Sequence, residues 1–419
     1  MTGMALVMAN MIGTGVFTSL GYQLVDLSNT YTILILWILG GVFALAGAFS
    51  YAEVGTQVPQ SGGEYTFLSR LFHPFVGYLA GWISITVGFA APIAIAAIAV
   101  SEYVPISGLS STWMAVGLVT IMHGIHSVNL KVSAVFQNVS TALKLMVIFT
   151  FIGFGLWMQP GIDHEMVYAP AIHSEWLHPA FAVALIYVTY SYSGWNAAAY
   201  ITEEFADPRR SLPRALVGGT LMVTILYTLL HYVFLKHAPQ EALVGQVEVG
   251  AVVAGYLFSE SIAVWVGRVI ALLLISSMSA MVWVGPRVVA KMGQDFRLWN
   301  FFSSLKGLIP VRALILQWGI TVALLFTGTF EQILIYCGIL LSISSMLTVA
   351  GVFVIRSRSK PSHGDFKSPL YPFFQVFFVG VSLWMIIFTA IERPWEVLLG
   401  LSNVGLGILF YLWDRKIIS

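Results

Sequence analysis

Charged side chains are scarce in this chain. Asp, Glu, Lys and Arg make up only 9% of the 419 residues, where about a quarter is usual for a water-soluble domain. With hydrophobic residues at 58% and a mean hydropathy of +0.85, that scarcity excludes a globule folded in water and leaves a polytopic membrane protein. Cysteine is scarcer still. The single Cys337 lies inside an apolar run, so neither an intramolecular disulfide nor a thiolate metal site can form, and no disulfide-linked partner subunit is expected. Long polar segments are also missing: the longest connections, around residues 159–176 and 237–260, hold fewer than about 30 residues and would not bury a core of their own. Function is therefore expected to reside within the membrane. The chain has no P-loop, no dinucleotide fingerprint and no nucleophile beside a base, so neither enzymatic activity nor a cofactor is expected. Nucleic acid is not expected as a partner either.

Apolar runs dominate what remains. Twelve of them, beginning near Thr2, Tyr31, Pro74, Trp113, Val132, Trp176, Ala215, Ile262, Val311, Gln332, Pro372 and Trp395, come close to the roughly 20 residues that cross a hydrocarbon core. Each is read as a helix, because lipid offers no partner to unpaired backbone groups. With the N-terminus inside, sixteen of the twenty Lys and Arg fall on the cytoplasmic side, including Arg70, Lys131, Arg209, Arg210, Arg214, Arg287, Lys306, Arg312, Arg356 and Lys360. Only Lys236 and Arg393 lie outside, while Lys144 and Arg268 lie within spans. The excess predicts that both termini are cytoplasmic, as does the even number of spans. The first run lacks a basic leader and a small-residue cleavage site, so it reads as the first span rather than a signal peptide.

Within that first span the stretch "ALVMANMIGTGVF", residues 5–17, places Gly13, Thr14 and Gly15 where a helix should be strongest. Two glycines flanking a β-branched residue mark a point of unwinding, each glycine costing about 1 kcal/mol in a helix interior. Their next-but-one spacing does not match a small-xxx-small packing face, although a kinked packing helix remains the alternative. Unwound backbone is tolerated at this depth only inside protein or beside a watery cavity. It would point the amides of Thr14, Gly15 and Val16 inward, a site suited to a carboxylate. The sixth span repeats the feature: "VTYSYSGWNAAAYITEEFADPRRSLPRA", residues 188–215, is interrupted by Ser191, Ser193 and Gly194. Paired breaks in matching places are the mark of inverted-repeat transporters, whereas a polar stripe that glues neighbouring helices is the plainer reading.

"MIGTGVF" (11–17), "VPQSGGEYTFL" (58–68), "YSYSGWN" (190–196), "TEEFADPRRSLPRA" (202–215), "GPRVVAKMGQD" (285–295) and "DFKSPLYPFF" (365–374) together span nearly the whole chain. They resemble signatures of the amino acid-polyamine-organocation superfamily, and within it the L-type amino acid transporter branch. The resemblance implies an all-α membrane protein of the leucine-transporter type: a first five-helix repeat over 1–158, a second, inverted repeat over 176–358, and two further helices over 371–414. It also implies an amino acid bound between the breaks. The substrate carboxylate would meet amides around Gly13, Thr14 and Gly15, with Met11 at the preceding turn. Its ammonium would meet carbonyls of Tyr190, Ser191 and Ser193, next to Gly194. Tyr190 falls where the branch usually has a gating phenylalanine. Donors on one half-helix end and acceptors on the other match a zwitterion on physical grounds as well.

Lys144 lies about 18 Å along the fifth span from Val132 at 1.5 Å per residue, too deep to snorkel. Two roles are open. One is a structural cap on stray carbonyls; the other, which the resemblance implies, is a surrogate for sodium that ties the first break to Ser276 and Ser277 of the eighth span. His123 and His126, spaced i, i+3, lack a third ligand and read as a hydrogen-bonded pair rather than a metal site. Glu53 reads as a gate or loop contact, Arg268 as a snorkelling residue, and residues 203–210 as a solvated helix end. The spans show no carboxylate near the breaks, which argues against a cationic substrate. The leading expectation is a secondary transporter of neutral L-amino acids in the plasma or inner membrane, working by sodium-independent exchange or proton symport. A transport-dead amino acid sensor and a channel are the alternatives.

Overall fold

The computed structural model describes residues 3–128, 131–160, 178–303, 309–358 and 365–418. Most of the 159–176 connection, Lys306 and Lys360 lie outside the described residues. Among the described residues every regular element is helical. Nine helical segments are long and apolar enough to cross a membrane, and Pro179–Ser191 and Val311–Thr327 are shorter apolar helices. The chain is a multi-pass integral membrane protein.

In order, the elements are α1 (Gly3–Met11), α2 (Gly15–Asp26), α3 (Thr30–Gln57), α4 (Gly63–Leu71), α5 (Pro74–Ile83), α6 (Ala90–Tyr103), α7 (Ser111–Val128), α8 (Lys131–Trp157) and α9 (Pro179–Ser191). They continue with α10 (Pro208–His237), α11 (Gln240–Leu243), α12 (Val249–Leu257), α13 (Glu260–Asp295), α14 (Val311–Thr327), α15 (Phe330–Arg358), α16 (Phe373–Glu392) and α17 (Pro394–Ile418). A π-helical turn, Ser84–Phe89, joins α5 to α6, and a 3-10 segment, Ala197–Glu204, follows α9.

Local chemistry sets the helix ends. Asn29 Oδ1 accepts the amides of Tyr31 (2.9 Å) and Thr32 (3.4 Å) to start α3. Proline occupies the first turn of α5, α9 and α10, where its missing N–H costs nothing. The last carbonyls of α8 are covered from α10: Lys236 Nζ donates to Gly155 O and Met158 O (both 2.9 Å), and His237 Nε2 lies 2.7 Å from Gly155 O. A buried helix end left without such partners would carry the full desolvation cost of its carbonyls.

Both predicted interruptions are present. Residues 12–14 separate α1 from α2; Ile12 N still bonds Met8 O (2.9 Å), and the next helical turn begins with Phe17 N on Thr14 O (3.0 Å). The second break sits one residue later than the sequence suggests. Helix α9 runs through Ser191, and residues 192–196 form turns around Gly194, whose φ of +97° favours glycine. Ser191 keeps helical geometry because its hydroxyl donates back to Tyr187 O at 2.8 Å, a local bond that propensity ranking does not capture.

The breaks are held by α3, which packs along α10 and also against α9, α15 and α16. Lipid supplies little drive for helices to associate, so close backbone approach at small residues matters. A Cβ on Gly41 would overlap Thr224 of α10, and one on Gly47 would come within 2.6 Å of the Trp195 ring. At the end carrying Arg209 and Arg210, Glu53 of α3, fully buried, accepts a bidentate pair from Arg356 of α15 (2.7 and 2.8 Å) and the Ser368 amide (2.7 Å). Glu53 is thus the loop contact expected of it. Arg356→Met strands that carboxylate, and breaking a buried pair typically costs about 3–5 kcal/mol. Thermal unfolding in detergent is expected to show a clear fall in Tm, part of which the Glu53→Gln/Arg356→Met double variant restores; an unchanged Tm for the single variant contradicts this.

Candidate functional site

The two interruptions touch each other through glycine. A Cβ on Gly15 would overlap Ser191 Oγ and lie 2.6 Å from Ser191 Cα, so the first residue of α2 rests on the last residue of α9. A Cβ on Gly194 would lie 2.8 Å from the carbonyl carbon and oxygen of Asn10 in α1. Ser19 and Ser191 share a hydrogen bond at 2.9 Å, and Ser19 Oγ also donates to Gly15 O at 2.7 Å. The Ser191 side chain therefore locks the two half-helices together rather than facing open space. The Met11 carbonyl at the end of α1 accepts Tyr227 OH of α10 at 2.7 Å, and Tyr192 OH donates to Trp37 O at 2.9 Å.

The breaks leave opposite polar ends side by side. The first amides of α2 have no intrahelical carbonyl to pair with. A Cβ on Gly13 would meet only Met11 O, at 3.8 Å, so the backbone there is open to a small group. On the other break Tyr190 O accepts Ser193 N (2.8 Å) and Gly194 O accepts Ala197 N (3.0 Å). Helix-start donors facing helix-end acceptors suit a ligand carrying an anion and a cation on adjacent atoms.

A cavity of about 950 Å³ adjoins these breaks. Tyr190, Ser193 and Gly194 line it, with Asn10, Phe43, Trp195, Met281 and Phe378 among the other lining residues. Met11, Gly13, Thr14, Gly15 and Ser191 are not among the lining residues. Its mouth lies where the exposed Glu204 and Ala206 and the neighbouring Arg214 line it, at the basic end of the bundle. The other end is closed. Tyr22 stacks on Phe330 (5.4 Å between centroids), and Glu331 Oε1 accepts both Tyr187 OH (2.6 Å) and Arg393 (2.8 Å). Tyr103 OH donates to Phe17 O (2.9 Å) and accepts Gly250 N (3.1 Å), tying α6 and α12 to α2.

Lys144 is buried between α1 and α13. Its Nζ donates to Ser277 Oγ at 2.7 Å and reaches Ala9 O, just before the first break, at a longer 3.5 Å. Ser276 is buried alongside on the same helix. His123 and His126 each place Nδ1 2.9 Å from the carbonyl one turn back, and His126 Nε2 lies 3.2 Å from Ser279 Oγ. Among the described residues no three His, Cys, Asp or Glu side chains gather as a metal site. Cys337 is buried, and Arg268 stacks over Trp265.

One expectation is corrected. A carboxylate does stand beside the breaks: Glu64, which begins α4, lines the cavity and accepts Asn196 Nδ2 at 3.1 Å. It escaped a search of the spans because it is carried into the bundle by the "QSGGEY" loop, where Gly62 and Gly63 both take positive φ. Asn10 and Tyr227 also belong to the neighbourhood of the breaks, each a polar residue in an apolar stretch with no spacing to single it out, as does Asn196, which ends the "YSYSGWN" motif.

Gly13 and Gly15 separate binding from folding. Overpacking typically costs about 1–3 kcal/mol, so Gly15→Ala is expected to lower Tm because its Cβ has no room beside Ser191. Gly13→Val is expected to keep the wild-type Tm and weaken amino acid binding at least about tenfold, or ~1.4 kcal/mol. A thermal-shift titration reads both; full affinity in Gly13→Val rules the α2 amides out as the anion site.

Comparison with known proteins gives the family. A family model for amino acid permeases matches residues 2–397. The b(0,+)-type amino acid transporter 1 of Mus musculus is 27% identical over 424 residues, covering 98% of this chain and 86% of its own length. The serine/threonine exchanger SteT of Bacillus subtilis is 27% identical over 433 residues, covering 99% of this chain and 96% of its own. The Asc-type amino acid transporter 1 of Mus musculus is 25% identical over 433 residues, covering 98% and 80%. These relatives are transporters and exchangers rather than enzymes, and the chain belongs to the amino acid permease family.

Proposed function

We propose that this permease is a secondary transporter that exchanges neutral L-amino acids across the membrane, independently of sodium, by alternating access. The observation that carries the reading is the contact between the two breaks. It sets the start of α2 against the end of α9, beside a cavity lined by Tyr190, Ser193 and Gly194 that reaches exposed residues at the basic end of the bundle. The amides of Gly13, Thr14 and Gly15 take the carboxylate, and carbonyls from Tyr190 to Gly194 take the ammonium, with Tyr190 closing over the substrate.

In this reading α1 with α2, α3, α5 with α6, α7, α8, α9 with its 3-10 extension, α10, α13, α14, α15, α16 and α17 are the twelve spans. Residues 1–158 and 176–358 are the inverted repeats, with 371–414 added. The basic end is cytoplasmic, so the described conformation faces inward, and the Tyr22, Phe330 and Glu331 cluster is the outer closure. Neutral side chains fit best. The Glu64 carboxylate is engaged in the cavity wall by four neutral donors, Tyr51, Asn196, Ser345 and Ser344.

Lys144 supplies a fixed positive charge where its Nζ bridges α1 and α13, which makes a bound sodium redundant. Removing hydrogen bonds made by a charged group costs about 1.5–3 kcal/mol. Lys144→Met keeps the stem and loses the donors, and is expected to slow exchange at least about tenfold with substrate binding retained; normal exchange in this variant reduces Lys144 to packing.

The decisive experiment uses purified protein in liposomes with labelled neutral amino acids. Uptake is expected only when unlabelled amino acid is inside, and replacing sodium with choline is expected to change nothing. Uptake into empty liposomes driven by a pH gradient makes the protein a proton symporter, and binding without uptake makes it a sensor.

A further inference from the structure

The cavity wall contains an ionisable group that substrate binding does not use. Glu64 is 2% exposed, and its oxygens accept Tyr51 OH and Ser344 Oγ (both 2.5 Å), Asn196 Nδ2 (3.1 Å) and Ser345 Oγ (3.2 Å). These donors come from three places: Tyr51 from α3, the two serines from α15, and Asn196 from the last turn before the 3-10 segment. Among the described residues Glu64 forms no ion pair. The contrast with Glu53 is instructive: there a bidentate arginine fixes the ionised form, whereas around Glu64 every partner is neutral.

Three of the four partners are hydroxyls, and a hydroxyl donates or accepts by rotating its proton. The same shell therefore satisfies both states of the group. Ionised, the carboxylate accepts four bonds. Protonated by water in the cavity, it donates its new O–H to a serine oxygen that has turned from donor to acceptor, and the bond from Asn196 loses its charge assistance. Water reaches the group because Glu64 lines a cavity whose mouth is exposed. The other groups facing it are Tyr200 of the 3-10 segment, whose ring lies 2.5 Å from a Cβ placed on Gly63, and Ser84 of the π-helical turn, which lines the same cavity. Glu204 and Arg214 stand at the mouth. Tyrosine titrates near pH 10, so Glu64, whose carboxyl is pushed above the usual carboxylate range by burial, is the group in this shell that takes up a proton as the pH falls.

We propose that Glu64 is a proton-binding site: ionised, it holds Asn196 and the 3-10 segment in the cavity-open position, and a proton arriving through the cavity releases that segment to move. The inference rests on the alternating-access reading above, since only a segment that must move gains from being released. Acid is then expected to speed exchange.

The test measures exchange of a labelled neutral amino acid in liposomes with equal pH inside and out, from about pH 5 to 7, where the α-carboxylate and α-ammonium of the substrate keep their charges. Wild type is expected to speed up toward acid along a single-group titration. Glu64→Gln, which mimics the protonated form, is expected to run at the wild-type acid plateau at every pH, and Tyr51→Phe, which removes a donor to the carboxylate, is expected to move the midpoint to higher pH. A flat wild-type profile, a Glu64→Gln profile that keeps the wild-type slope, or an unmoved midpoint in Tyr51→Phe each overturns the proposal. Should Glu64→Gln fail to fold, Ser344→Ala, which removes another donor to the carboxylate, is expected to move the midpoint to higher pH, and an unmoved midpoint overturns the proposal. Should wild type exchange nothing at any pH, the transport reading fails separately; the proton site is then read from thermal unfolding, where the Tm gap between wild type and Glu64→Gln is expected to vary with pH and a constant gap overturns it.

Discussion

Backbone hydrogen bonding in lipid is the constraint on which everything else depends. An unpaired amide or carbonyl costs several kcal/mol in hydrocarbon, so a helix that stops between Met11 and Gly15 needs its loose ends covered by protein or water. The chain covers them with itself. The second break lies against the first, with Gly15 on Ser191 and Gly194 on Asn10, while Tyr227 takes the Met11 carbonyl and Lys144 reaches toward Ala9. The start of one half-helix thus lies against the end of the other, and it is from this juxtaposition that the zwitterion site is proposed.

The contacts that hold the long helices differ in kind from those that hold the breaks. Long helices such as α3 and α10 pack closely through Gly41 against Thr224, and Glu53 with Arg356 pins α3 to α15 by a buried, bidentate pair. The broken segments are held differently, by hydroxyls and single amide bonds: Ser19 with Ser191, Asn196 with Glu64, Tyr187 with Glu331. Neutral or single-bonded contacts have lower exchange costs than a buried ion pair that loses a partner. The long-helix frame and the broken segments thus differ in the chemistry of their contacts, which under the proposed alternating access separates what stays from what moves.

Much of this was legible in the sequence. Composition and apolar runs gave the membrane class, because lipid permits so few backbone solutions that hydropathy alone is informative. The breaks were legible because Gly13, Gly15 and Gly194 interrupt helical periodicity. The register of the second break was off by one, because the bond from Ser191 to Tyr187 O prolongs α9. Lys144 stood out through the rarity of charge at such depth. Glu64 was not legible: its loop position looked solvated, and only the fold carries it to the cavity. The lining of the cavity was equally hidden. Tyr190, Ser193 and Gly194 reach it whereas residues 13–15 do not, a distinction that residue type does not carry.

The most direct measurement is an experimental structure of the protein with a neutral L-amino acid bound. The carboxylate is expected within hydrogen-bond distance of amides at Gly13 to Gly15, and the ammonium within reach of carbonyls between Tyr190 and Gly194, with residues 12–14 and 192–196 still unwound. An amino acid seated elsewhere in the cavity, or a first span that runs as one continuous helix, would contradict the assignment of the paired breaks as the substrate site.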